Sequence, residues 1–372
     1  MHNDLFYKLA LYFTPGINLR ATQQLQEHFG DPADLFQLSV TELTDAGLQP
    51  DIAAAIGSHD AFRQAEQEMD YMEQHHIGCL YYTDPTYPDR LRQCEDAPLL
   101  FFYRGSLCFE AAHAVSVVGT RKHTEYGEAF CRRLIEDLAA KIDDLLIVSG
   151  LAYGIDICAH RAALDCGVPT AAIFGTSFNH IYPSAHRKDA VSILSHGGAL
   201  VSEFSSTTPT YPSNFVRRNR IIAGLTDATV IVESAAKGGS LITADIAASY
   251  NHEVFAVPGR TSDTQSAGCN WLVRTARAHL LTSADDLLYI MGWEASNTAT
   301  KPRYARTDIL ADCTEEERRI VQLLEESGGR AGYEEMNRTL AFADTGTLPA
   351  ALLNLEIAGL IQTLPGRRYA LL

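Results

Sequence analysis

The stretch AVSVVGTRKHTEYG, Ala114 to Gly127, decides the fold: an uncharged apolar run, a glycine, a short polar turn and then a helix start. Alternating valines without a charge suit a strand buried on both faces, and Thr124 ahead of acidic residues suits the cap and first turn of a helix. The same figure recurs outward along the chain. LLIVSG (Leu145 to Gly150), TAAIFG (Thr170 to Gly175), ALVSE (Ala199 to Glu203), ATVIVES (Ala228 to Ser234) and EVFAVPG (Glu253 to Gly259) are spaced by helix-length segments. This alternation predicts an α/β fold, a parallel-rich sheet with helices on both faces.

The flanks read differently. From Met1 to His76 apolar residues keep helical spacing, punctuated by Pro15-Gly16, Gly30-Asp31-Pro32 and Gly47, which predicts a small helical domain over residues 1–76. Residues 77–293 hold the α/β domain. The polar, proline-containing EASNTATKPRYARTD over 294–308 reads as a linker. Over 309–372, Thr314 with Glu317 predicts a capping box and a helix to about Ser327. Two further helices (Tyr333 to Phe342 and Leu348 to Ala358) and a hairpin round Pro365-Gly366 then give a winged-helix shape.

The chain has 372 residues, 46% of them hydrophobic, with 30 basic against 46 acidic residues and a net charge of −16. No apolar run is long enough for a membrane span, and MHNDLFYKLALYFTPG carries an acid where a signal peptide carries bases, so a cytoplasmic protein is expected. Eight scattered cysteines with no CxxC pair point to reduced thiols rather than a disulfide framework or zinc ribbon. The acidic balance weighs against nucleic-acid binding only globally, because a local cluster of arginines and helix N-termini makes its own field.

Ligands of parallel sheets sit at the carboxyl ends of the strands. Three glycine turns lie there: Gly119-Thr120-Arg121, Ser149-Gly150-Leu151-Ala152 and Lys237-Gly238-Gly239-Ser240. Each precedes a helix whose free N–H groups favour an anion, and several such turns along one edge suit a polyanion. Glycine at a βα turn also has a purely geometric reading. NFVRRNRIIAG adds Arg217, Arg218 and Arg220 round Asn219, a basic cluster whose planar groups grip phosphate or stack on bases. Arg218 and Arg220 read as structural or anion-facing; a solvated helix face is the plain alternative.

Enzymatic signatures are thin. There is no GxxxxGK[ST] loop, and GTRKHTEYG lacks the middle glycine of a dinucleotide fingerprint. Ser149, Asp156 and His160 could be drawn as a triad, but no GxSxG elbow frames the serine, and capping explains Asp156. No HExxH-like histidine cluster occurs, so no metal and no cofactor are expected.

SVVGTR, IVSGLAYGIDICAH, NFVRRNRIIAGL, GGSLITADIA and VFAVPG followed by GCNWLV together resemble the DNA-processing protein A family, also called the Smf family. The lead-in DPTYPDRLRQCEDAPLLFFYRG fits the same pattern. The resemblance spans roughly Tyr81 to Asp286. It implies an extended Rossmann-like domain, a SAM-like or helix-hairpin-helix N-terminal part with TPGIN (Thr14 to Asn18) as hairpin, and a C-terminal winged helix. It also implies a homodimer that binds single-stranded DNA without sequence preference and helps load the RecA recombinase in natural transformation and recombination.

The family's motifs fall on Gly119, Thr120 and Arg121, on Ser149 to Ala152 with Gly150 between, on Arg218, Asn219 and Arg220, and on Gly239 to Thr243 with Ser240 between, with Arg217, Lys237 and Gly238 beside them. FGTSFNHIYPSAH departs from the family, with Asn179 for the common aspartate and His186 for asparagine, and elsewhere Tyr153 sits where a basic residue is frequent. Tyr153 or His180 could therefore stack a base there. The DNA-binding expectation is thus not that of an enzyme. Two alternatives stand beside it. A phosphoribohydrolase-like enzyme would need PGGxGTxxE, whose glutamate AKGGSLITADI lacks; a duplex-DNA regulator would use the winged helix and its PGRR wing.

Overall fold

A computed structural model describes residues 2–106, 108–294, 314–327, 330–340, 342, 347–357, 361–364 and 368–371. Met1–Asn297 and Thr298–Leu372 form separate compact units. The expected linker lies, from 295 onward, outside the described residues, as do 365–367 of the PGRR wing.

The first unit is built on one nine-stranded sheet ordered β1-β2-β6-β5-β4-β3-β7-β8-β9. The strands are β1 (Gly78–Tyr81), β2 (Leu100–Gly105), β3 (His113–Val118), β4 (Leu145–Ser149), β5 (Thr170–Ile173), β6 (Ala199–Ser202), β7 (Ala228–Ile231), β8 (Glu253–Ala256) and β9 (His279–Leu280). β6 through β9 run parallel, as the recurring strand, glycine and helix figure predicts. β2 and β1 add an antiparallel edge that the sequence reading did not foresee.

Strand alternation sorts the side chains between two cores. Val115 and Val117 of β3, and Leu145 and Ile147 of β4, enter a cluster with Phe130, Leu134 and Leu138 of the helix Glu125–Lys141. Their neighbours Ala114, Val118, Leu146 and Val148 face the other cluster, with Ile221 and Ile222 of the helix Pro212–Gly224. Each buried aliphatic side chain contributes roughly 1.5–3 kcal/mol, and a slip of one residue would reverse every assignment. The strand order fixes the position of a ligand cleft: from β3 the chain walks outward through β4, β5 and β6, then returns to β7 on the other side of β3. Between β3 and β7 the crossover loops diverge and leave a crevice.

The helices His2–Phe13, Leu19–Phe29, Pro32–Leu35, Val40–Asp45, Pro50–Ser58 and Ala61–His75 share the second cluster with the sheet. Lys8 Nζ pairs with Asp84 at 2.7 Å, Tyr12 donates to the Glu203 carbonyl at 2.8 Å, and Ser206 donates to the Glu68 carboxylate.

The second unit has helices Glu315–Glu326, Tyr333–Leu340 and Thr347–Ile357 over a sheet of Arg330–Gly332, Arg368–Leu371 and Ile361–Leu364. Its first helix opens with Thr314 and Glu317 bonded reciprocally at 2.9 and 3.3 Å.

Candidate functional site

At the β3/β7 crossover lies a cleft of about 590 Å³. The turn after β3 supplies Gly119, Thr120, Arg121 and Lys122; the turn after β7 supplies Gly238, Gly239 and Ser240, with Thr243 behind; the helix Pro212–Gly224 supplies Phe215, Arg218, Asn219 and Ile222. A small annex shares Arg121, Arg218, Tyr182 and Phe215 with it and adds Gly150 and Tyr153. The three glycine turns are therefore walls of one cavity.

Arg121 and Lys122 are exposed, whereas Arg218 is 4% exposed. Its Nη1 donates to the carbonyls of Gly150 and Ile173, tying the carboxyl ends of β4 and β5 together, while its Nε has no partner among the described residues. Burial, opposed by Asp156 and reinforced by Arg121, pushes this guanidinium down to about 10. A charged group so placed, with a second cation close by, favours an anion in the cleft.

Gly150 makes this packing possible: a Cβ there would collide with Arg218 Nη1 and Asp156 Oδ2. Gly154, at φ +84°, lets the second turn touch the first, since a Cβ would strike the Thr120 carbonyl and the Arg121 backbone. Ile155 N–H donates to that same carbonyl at 3.2 Å.

The helix N-termini facing this edge differ in how they are satisfied. Buried Asp156, in the first turn of the helix Ile155–Asp165, accepts backbone N–H groups of Ala152, Gly119 and Gly150. Burial raises its carboxyl above the ordinary value, against the pull of Arg218 and those N–H groups. At the helix Glu125–Lys141, Thr124 caps Gly127 N–H at 3.2 Å, and buried Glu233 accepts from Thr124 N and Oγ1 at 2.8 and 2.6 Å. The helix Ser240–Ser249 has no side-chain cap and no acid in its first turn, and its leading residues line the cleft.

Several expected residues sit elsewhere. Ser149 is fully buried and donates to the Val117 carbonyl at 2.6 Å, so its hydroxyl does not reach the cleft. Arg217 and Arg220 face away from Arg218, into another cavity of about 370 Å³ beside Tyr12 and Arg20, and both pair with buried Glu203. Lys237 is exposed on the turn after β7 but does not line the cleft; His180 lies outside it, 3.5 Å from Thr210 Oγ1. Tyr182 and Phe215, which sequence reasoning did not single out, do line it, with ring centres 5.3 Å apart. The signal for Phe215 was present, since Phe215, Arg218, Asn219 and Ile222 share one helix face.

The Ser149, Asp156 and His160 grouping has no catalytic geometry. His160 Nδ1 meets Thr170 Oγ1 at 2.7 Å, the ring is fully buried, and burial holds it neutral, down to about 3. Both Ser149 and Asp156 are engaged with the backbone.

The family described as DNA recombination-mediator protein A matches residues 78–292. Protein Smf of Escherichia coli (strain K12) is 38% identical over 226 residues, 61% of this chain and 60% of that protein, so the match spans less than two thirds of that relative. A putative DNA processing protein DprA of Mycobacterium tuberculosis is 36% identical over 285 residues, 75% of this chain and 70% of its own length. The X-ray structure of DNA processing protein A from Streptococcus pneumoniae is similar with a TM-score of 0.64 and 30% identity, covering 76% of this chain and 97% of that one. A structure of DNA processing protein A from Helicobacter pylori, described for its single-stranded DNA binding mode, has a TM-score of 0.51 and 25% identity, covering 58% and 95%.

Proposed function

The chain belongs to the DNA recombination-mediator protein A family, and from that membership we propose that it binds single-stranded DNA, without sequence preference, in the cleft at the β3/β7 crossover. The observation that carries the reading is the convergence of Arg121, Lys122 and Arg218 with an uncapped helix N-terminus at one edge of a protein of net charge −16. A surplus of acid elsewhere leaves this edge as a local exception that a polyanion can find.

Arg121 and Lys122, being exposed, neutralise backbone phosphates and release their counterions. Gly238 and Gly239 let another phosphate approach the start of the helix Ser240–Ser249, where N–H groups and the dipole receive it. Tyr182, Phe215 and Tyr153 offer flat faces at the rim for unpaired bases. Phosphates and π-faces are common to every sequence, so such contacts hold DNA without reading it.

The protein on this reading shelters DNA rather than turning over a substrate. It acts in the cytoplasm as a homodimer and passes its strand to the RecA recombinase during DNA uptake and recombination. Among the described residues no helix is long and apolar enough to cross a membrane. RecA capture on immobilised protein and mass by light scattering check the two partner assignments.

The direct test compares single-stranded and duplex oligonucleotides by mobility shift at two salt concentrations, with wild type and Arg121→Ala. Single strands should bind more tightly, with a log-log salt slope of about −0.7 per phosphate neutralised. Arg121→Ala should weaken binding about tenfold for every sequence and flatten that slope by about 0.7. An unchanged affinity in the variant, or a preference for duplex, would overturn the assignment.

A further inference from the structure

On the side of the first glycine turn that faces the helix Ile155–Asp165, outside the cleft lining, three side chains of different chemistry meet: His123, Glu128 and Cys158. We propose that they hold one divalent transition-metal ion of the zinc class. His123 Nε2 lies 3.2 Å from Glu128 Oε2 and 4.0 Å from Cys158 Sγ, and all three donor atoms fall within 4.8 Å of one another. Metal–ligand bonds of about 2.0–2.3 Å at tetrahedral angles set donor atoms about 3.3–3.7 Å apart. The histidine–carboxylate edge already has about that length, and the sulfur, 4.0 Å from the imidazole and within 4.8 Å of the carboxylate, closes the triangle by moving inward.

The donor set selects the ion. A thiolate beside an imidazole disfavours magnesium and calcium and suits zinc or cobalt, while the carboxylate brings the bound site to neutrality. The three residues come from three anchored segments. His123 precedes the cap Thr124, Glu128 lies in the first turn of the helix Glu125–Lys141, and Cys158 stands in the first turns of the helix Ile155–Asp165. Nδ1 of the same histidine ring is buried with no partner among the described residues, so it is Nε2 that turns toward Glu128 and Cys158.

Burial, with Glu128 next, pushes the Cys158 thiol up to about 11, so it holds its proton at neutral pH. Binding therefore breaks the S–H bond, passes that proton to solvent and forms the metal–sulfur bond. The imidazole and carboxylate donate lone pairs, and the remaining position faces solvent beside exposed Glu128. An ion here would lash the turn that carries Arg121 and Lys122 to the neighbouring helix.

Cobalt titration of tag-free, reduced, chelator-stripped full-length protein tests this by absorption. One equivalent of Co²⁺ should give a thiolate-to-cobalt charge-transfer band and strong ligand-field bands, both displaced by Zn²⁺ and both weaker at lower pH. Cys158→Ser should abolish the charge-transfer band. Cys166→Ser, which alters another half-buried thiol at the end of the same helix, should keep it. His123→Ala, on a partly exposed turn and hence safe for the fold, should weaken cobalt binding at least tenfold. No charge-transfer band in wild type, a band that survives Cys158→Ser or is lost in Cys166→Ser, or unaltered affinity in His123→Ala would overturn the site.

Discussion

The helices Ile155–Asp165 and Ser240–Ser249 both start from a glycine turn at the same edge of the sheet, and they treat the same electrostatic problem in opposite ways. The first carries Asp156, whose carboxylate takes the N–H groups of Gly119, Gly150 and Ala152 and lies beside Arg218. The second has Gly238, Gly239 and Ser240, no acid and no cap. A glycine turn before a helix is thus an anion site only where the protein has not already supplied the anion.

Removing the internal anion should have the largest effect. Asp156→Ala leaves Arg218 buried without its counter-charge, and the loss in urea denaturation should be about 3–5 kcal/mol. A variant within 1 kcal/mol of wild type, a margin well below that estimate, would show that the carbonyls of Gly150 and Ile173 suffice for Arg218.

Supplying an anion to the open helix tests the other half. A Cβ on Gly239 meets nothing within 4 Å, so Gly239→Asp should fold normally and gain up to about 0.5 kcal/mol from capping. Affinity for single-stranded oligonucleotides should nevertheless fall about tenfold, close to 1.4 kcal/mol. Retained affinity would move the phosphate away from this turn.

The smallest change expected is in Arg217→Ala. Arg217 points away from the cleft and shares Glu203 with Arg220, so affinity should alter by less than about twofold, and stability by under about 1 kcal/mol. A large loss of binding would extend the DNA path onto the opposite face of that helix.

Much of the parallel sheet was legible because β3 to β8 each carry a dense apolar run ending near a glycine or a polar turn. β1 and β2 were not, because an antiparallel edge rests on pairings such as Phe102 with Ser202, which join residues far apart in the chain. The glycine turns and Arg121 could be read as cleft residues from their place at strand ends. The arginines of NFVRRNR could not be apportioned by type alone: helical rotation sends Arg218 to the cleft and Arg217 and Arg220 to Glu203. Ser149 was misleading for a related reason, since its backbone belongs to the edge of the sheet while its side chain points into the interior.

The N-terminal helices meet the sheet through a common apolar interior, with Tyr12 packed edge-on against Phe102 and Lys8 bound to Asp84. That seam limits how the chain can be shortened. A fragment beginning at residue 77 would bare aromatic surface that its own strands cannot cover. Precipitation during purification is then the expected fate of such a truncation, whatever its capacity for DNA.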